Sequence, residues 1–281
     1  MRIRDDSRRP RRRGGRDGPR VGIVGYGTVG RATASLFRDV AIYDPYQGYD
    51  DLASLADRDV VFVCVPTPNR PDGHCDLSAV YDAVRRVAPR LSERQVVAIR
   101  STVPPGTARR LQEAFPNTHF AANPEFLRAH RLEEDAKRPS RVVIGADSVF
   151  ARQSLLRAYH SCFRDRVPYL VTDSLTAEFI KYAANCFLAT KILYARELRR
   201  AAKRLGVSFG DVVMALGLDP RIGGGEEWWL EGLQDECLPK DLEAFVHFLR
   251  SRGIERELLE TLLRLRDSTL MTEGAPSEPQ P

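Results

Sequence analysis

Cys237 stands just ahead of Lys240 and Asp241. A thiol attacks only as thiolate, and a nearby lysine together with a helix N-terminus favours that form. A buried, inert cysteine fits the position equally well. Asp241 offers a carboxylate base, or simply the N-cap of a helix predicted to end at Gly253. Lys181 and Asn185 lie four residues apart, so a helix puts them on one face. There the plain alternatives are a solvated lysine and an asparagine bonding to a second helix. Thr67, Thr102 and Glu125 each follow a predicted strand, where ligands of open α/β sheets collect. Cys64 and Cys186 sit in apolar runs and read as core, while Cys75 and Cys162 have no partner the sequence names.

A second cluster binds rather than reacts. Gly25-Tyr26-Gly27-Thr28-Val29-Gly30 follows the short apolar strand Val21–Val24 and opens a helix. The glycines permit a tight turn and close backbone approach to a pyrophosphate seated on the helix N-terminus. Asp44 follows the next strand, Val40–Tyr43. Its carboxylate can accept from a ribose 2′-OH and repels a 2′-phosphate, so the expected cofactor is NAD.

These residues need elements to hold them. Residues 21–173 alternate strands and helices, which implies a doubly wound α/β domain with a parallel sheet. The strands are predicted at 21–24, 40–43, 59–65, 95–100, 119–122, 141–145 and 169–172. The run from Asp59 to Val65 is apolar throughout, as expected for a strand buried on both faces. From Ser174 the pattern turns helical. One long helix is predicted over 175–204, ended by Gly206, followed by helices over about 208–216, 241–253 and 255–266. A helical central domain over 174–268 therefore follows a Rossmann-type domain over 21–173.

The ends differ from this body. Of the 281 residues, the first 20 hold nine of the 43 basic residues, giving them +6 and leaving the rest at −1. Residues 1–20 and 269–281 read as disordered tails, and the basic end as a solvated leader rather than a nucleic-acid arm. No apolar run reaches membrane-spanning length and no secretory signal precedes the body, so the cytoplasm is the expected compartment. The five cysteines show neither disulfide nor metal spacing.

Five short segments, taken together, resemble the UDP-glucose/GDP-mannose dehydrogenase family. They are Val65-Pro66-Thr67-Pro68, Ser101-Thr102-Val103-Pro104-Pro105-Gly106-Thr107, Asn123-Pro124-Glu125-Phe126-Leu127, the helical stretch from Ala177 to Asn185, and Cys237-Leu238-Pro239-Lys240-Asp241. The resemblance runs from about Val21 to Leu265. It implies oxidation of a primary alcohol to a carboxylate with two NAD, through a Cys237 thiohemiacetal and thioester. In that scheme Lys181 and Asn185 stabilise oxyanion charge, and Asp241 and Glu125 activate or position water. Thr102 lies near the nicotinamide, and Val65, Pro66, Thr67 and Ser101 line the cofactor. Phe126 and Leu127 touch substrate, and Arg221 reaches the substrate of a partner copy in a homodimer formed by the long helix. The chemistry is sound on its own terms, because a thiolate that tethers the aldehyde prevents its escape between two hydride transfers.

Departures from the family pattern shift the expected substrate. The chain stops near where a third, nucleotide-sugar-binding domain is expected to begin. Gly232-Leu233-Gln234-Asp235-Glu236-Cys237 stands where the family has a glycine-rich loop, and its two carboxylates repel a diphosphate. Arg128-Ala129-His130 replaces Arg-Glu-Gly, and Arg196 replaces an asparagine. The expectation is an alcohol or sugar other than an ordinary nucleotide sugar; the alternatives are a nucleotide-sugar dehydrogenase completed by a partner chain, a two-electron alcohol dehydrogenase and a non-catalytic NAD-binding subunit.

Overall fold

The computed structural model describes residues 18–128, 130–223 and 237–273. Seven strands form one sheet: β1 (Arg20–Val24), β2 (Asp39–Tyr43), β3 (Val60–Val63), β4 (Val96–Ile99), β5 (His119–Ala122), β6 (Val142–Gly145) and β7 (Tyr169–Thr172), in the order β2-β1-β3-β4-β5-β6-β7. Every neighbouring pair is parallel except one. The strands β5 and β6 meet antiparallel at a single residue pair, Ala122 against Gly145, which corrects the expectation of a wholly parallel sheet. Gly145 itself is tightly enclosed. A Cβ there would stand 2.2 Å from the Cβ of Ala177 and 2.8 Å from the Asp173 carbonyl, so a helix start is wedged against the strand tip.

The strands are buried because both faces are covered. Helices α1 (Thr28–Ala34) and α5 (Val149–Phe163) cover one face, where Phe37, Phe62 and Tyr159 pack together. Helices α2 (Ser78–Val87) and α3 (Thr107–Ala114) cover the other, over Val61, Val63, Val97 and Ile99. A short helix, α4 (Leu132–Lys137), lies in the connection from β5 to β6.

Helix α6 (Ser174–Leu205) spans 32 residues, close to its predicted bounds. Asp173 caps it by accepting from the Thr176 amide at 3.0 Å, and Gly206 ends it at φ +70. Beyond it lie α7 (Phe209–Gly217), α8 (Cys237–Ser251) and α9 (Glu257–Glu273). Tyr182, Cys186, Ala189 and Leu193 of α6 form a third core with Leu242, Phe245, Val246 and Leu249 of α8. Tyr182 and Phe245 stack at 5.2 Å between centroids. Truncating a fully buried residue here, Leu242→Ala, costs about 2–5 kcal/mol by the usual scale.

Two expectations are corrected. Asp241 does not cap α8, because the helix already includes Cys237. Pro239 is tolerated there because the first turn's N–H groups have no intrahelical acceptor to lose. The last helix continues to Glu273 rather than ending near 266. The basic leader up to residue 17, the loop over 224–236 and the tail from 274 lie outside the described residues. No described helix is long and apolar enough to cross a membrane.

Candidate active site

The C-terminal ends of the strands carry the crevice. Gly25 has φ +87, and a Cβ at Gly30 would stand 2.1 Å from the Gly25 carbonyl, so α1 starts tight against the turn. The space over Gly27 is open, no side chain caps α1, and no acid occupies its first turn. Its amides therefore face an open anion site. Asp44, buried at the end of β2, accepts from the Tyr26 amide at 2.7 Å and the Gln47 side chain at 3.0 Å through Oδ2. Its Oδ1 takes only the Tyr46 amide, at 3.1 Å, and keeps acceptor capacity for a ribose hydroxyl. These residues fit a dinucleotide without a 2′-phosphate. Ser101 Oγ bonds the Val65 carbonyl at 2.6 Å, tying together the loops after β3 and β4, with Thr67 buried beside them.

Four of the candidate residues meet on one stripe of α6. Lys181 Nζ lies 2.9 Å from Glu125 Oε1, with both side chains largely buried. Asn185 Nδ2 donates to Asp241 Oδ2 at 2.6 Å. Lys240 Nζ closes on the other oxygen of Asp241 at 2.5 Å. The solvated-lysine alternative for Lys181 is thereby excluded, whereas the helix–helix bond expected of Asn185 is made. Burial pushes the Glu125 carboxyl up, but Lys181 and the Leu127 amide pull it net below its ordinary value, so it is a carboxylate. Cys237 is exposed and sits four residues before Asp241 in α8, hence on the same helix face. Burial drives Cys64 and Cys186 up to about 12, which fits inert core thiols.

Other candidates are placed apart or differently. Arg221 is largely exposed and pairs with Asp219 of its own chain at 2.6 Å. Phe126 lies under Arg141 at 3.7 Å and near Lys181 at 5.5 Å. Cys75, given no partner by sequence, lies 4.0 Å from the Thr102 carbonyl, and Cys162 donates to the Leu36 carbonyl at 3.1 Å. Two contributors were missed. Asn69 donates to the Lys240 carbonyl at 2.9 Å and reaches Glu243 at 3.2 Å, fixing the β3 loop to α8. Glu178, one turn before Lys181, is buried and accepts from the Gly106 and Ala108 amides. Its spacing to Lys181 and Asn185 was the one sequence signal that it shared their face.

Residues 46–163 match the UDP-glucose/GDP-mannose dehydrogenase family, NAD binding domain, and residues 175–267 match the same family's central domain. The chain belongs to the UDP-glucose/GDP-mannose dehydrogenase family. Its cofactor domain is the family's NAD-binding one. Among this family's members, the UDP-glucose 6-dehydrogenase of Rhizobium meliloti is 39% identical over 235 residues, covering 80% of this chain and 54% of the relative. A UDP-glucose dehydrogenase from the hyperthermophilic archaeon Pyrobaculum islandicum superposes with a TM-score of 0.78 at 32% identity, covering 89% of this chain and 68% of that one. The GDP-mannose dehydrogenase of Pseudomonas aeruginosa shares the fold at TM-score 0.65 and 24% identity, over 87% of this chain and 67% of that one. The family member described here spans about half the length of the curated relatives it matches.

Proposed function

We propose that this protein oxidises the primary alcohol of a sugar-type substrate to a carboxylate. The overall balance is one alcohol, two NAD+ and one water giving one carboxylate, two NADH and three protons. NAD, when bound, supplies the hydride acceptor for each oxidation. Gly25–Gly30 would cradle its pyrophosphate and Asp44 its ribose, with Val65, Thr67, Ser101 and Thr102 beside the remainder. The single observation behind this reading is the stripe on α6. It gathers a cation, Lys181, an amide donor, Asn185, and two carboxylates, Glu125 and Asp241, on the side of α8 that Cys237 shares.

In this scheme the Cys237 thiolate adds to the aldehyde carbon, forming a C–S bond and an oxyanion that takes a proton. Loss of a hydride from that carbon to the second NAD+, with loss of the hydroxyl proton to solvent, would leave a thioester. Water then adds, the C–S bond breaks, and the thiol returns with the carboxylate. Lys181 has donors beyond its bond to Glu125, and Asn185 keeps a second N–H, so both can meet the oxyanion. Glu125 is held as a carboxylate and can take a proton from water.

Asp235 and Glu236 directly before Cys237 disfavour a diphosphate, so the substrate is taken to be a sugar or alcohol other than an ordinary nucleotide sugar. Exposed Phe187, Leu188 and Tyr194 on α6 support pairing of two copies, which would offer Arg221 to a partner site. A cytoplasmic setting suits the thiol chemistry. The test is NADH release from UDP- and GDP-sugars beside nucleosides and free sugars, with C237S as control. Two NADH per substrate, abolished by C237S, is expected. One NADH per substrate, unaffected by C237S, overturns the scheme.

A further inference from the structure

Gly106 stands at the N-cap of α3 with φ +92, and the helix has no side-chain cap of its own. The first amides of a helix have no intrahelical acceptor, and burying them unpaired is costly. Here the acceptor comes from another element. Glu178 of α6 takes the Gly106 amide on Oε2 at 2.5 Å and the Ala108 amide on Oε1 at 2.7 Å. The carboxylate is 3% exposed. Its contact ends the loop from Ser101 to Gly106, whose other end is pinned by Ser101 to the Val65 carbonyl. That loop carries Thr102. Three and seven residues further along α6 come Lys181 and Asn185, on the same buried stripe.

We propose that Glu178 is a positioning residue, which caps α3 from α6 and thereby holds the Thr102 loop in register with Lys181 and Asn185. No substrate or cofactor contact is asked of it. The consequence for catalysis rests on the function proposed above, whereas the cap and its reach into the loop do not.

The register then depends on pH. Burial pushes the Glu178 carboxyl up to about 7, against the pull of the Ala108 and Gly106 amides and of Arg110. Arg109 of α3 also faces it, while pairing with Asp147 and Asp173. On its own helix, Lys181 is engaged by Glu125. Ionisation strengthens an acceptor of two N–H bonds. The loop is therefore held more firmly as pH rises through about 7.

The test compares the full chain with E178Q, which keeps one acceptor oxygen, and E178A, which keeps none. Amide hydrogen exchange at Gly106 and Ala108 is expected to quicken about tenfold in E178A and less in E178Q. The change should extend to Thr102 and Val103, and wild-type protection at these sites, taken relative to the intrinsic exchange rate at each pH, should rise from pH 6 to pH 8. With an oxidisable substrate, kcat in E178Q should fall roughly 10- to 100-fold. Its NAD affinity should stay unchanged, and the limb near pH 7 in the kcat profile should be lost. Unchanged exchange at Gly106 and Ala108, or a change that stops short of Thr102, overturns the proposal. So does an E178Q protein that loses thermal stability but keeps kcat and the wild-type pH profile. If no alcohol is oxidised at all, the proposed function fails, and the exchange data alone decide the positioning role.

Discussion

Asn185 on α6 donates to Asp241 on α8 across 2.6 Å, and both residues are buried. The bond joins the middle of the long helix to the first turns of the helix that carries Cys237. A hydrogen bond to a charged group contributes more than a neutral one. Among the described residues, Asn185→Leu leaves Asp241 with Lys240 alone for a side-chain partner. The expected loss is about 1.5–3 kcal/mol in urea unfolding. A loss no larger than that of an exposed helix substitution would show that the bond does not hold the helices together.

Glu125 owes its ionised state to Lys181. Its folded pKa is depressed below 4.5, so the stability it contributes is present above that value and is lost as pH falls through the folded pKa. Lys181→Met leaves a buried carboxylate without its cation, at an expected cost of about 3–5 kcal/mol at neutral pH. Burial alone pushes the unpaired carboxyl up, so the variant's stability should recover, relative to wild type, as acidification protonates it. Thermal unfolding of both proteins between pH 4 and 8 reads this directly. Parallel curves would be incompatible with the pairing.

Asp44 shapes the glycine turn, and in the proposed function it also receives the ribose. Removing its bond to the Tyr26 amide should loosen the turn as well as delete the acceptor. Asp44→Ala is expected to weaken NAD binding roughly 10- to 100-fold. It should narrow the preference over NADP, because the charge that repels a 2′-phosphate is gone. Calorimetric titration with both dinucleotides measures the two effects together. Unaltered discrimination would place the ribose elsewhere.

Cys237 and Cys186 should separate cleanly in reactivity. Cys186 is buried and pushed up to about 12, whereas Cys237 is exposed at a helix start. A thiol reagent at pH 7 should modify Cys237 first, read by mass spectrometry of the digested protein, and NAD-dependent turnover should fall with it. Modification of Cys186 ahead of Cys237 would contradict the burial pattern.

The strands were legible in the sequence because burial on both faces leaves a plain apolar run, as at Val60–Val63. Helix α6 was legible because a single stripe repeats over 32 residues with a capping Asp and a terminal Gly. The start of α8 was not. A proline three residues into a segment looks like a boundary, and only the lack of a needed N–H in the first turn lets Pro239 lie inside. The antiparallel contact of β6 was hidden too, because it rests on a single residue pair, Ala122 against Gly145, that no local pattern marks. Glu178 shows the same limit. Its hydrogen-bond partners lie about 70 positions away, and no local pattern announces them. Lys181 and Asn185 were recognisable by spacing, but their carboxylate partners became known only once α6 crossed the sheet.

Asn69 with Lys240, Glu125 with Lys181, and Glu178 with Gly106 all bridge the sheet and the helices. The seam is sewn with the same side chains that surround the crevice. Swinging the two halves apart along this line therefore means breaking these three contacts together.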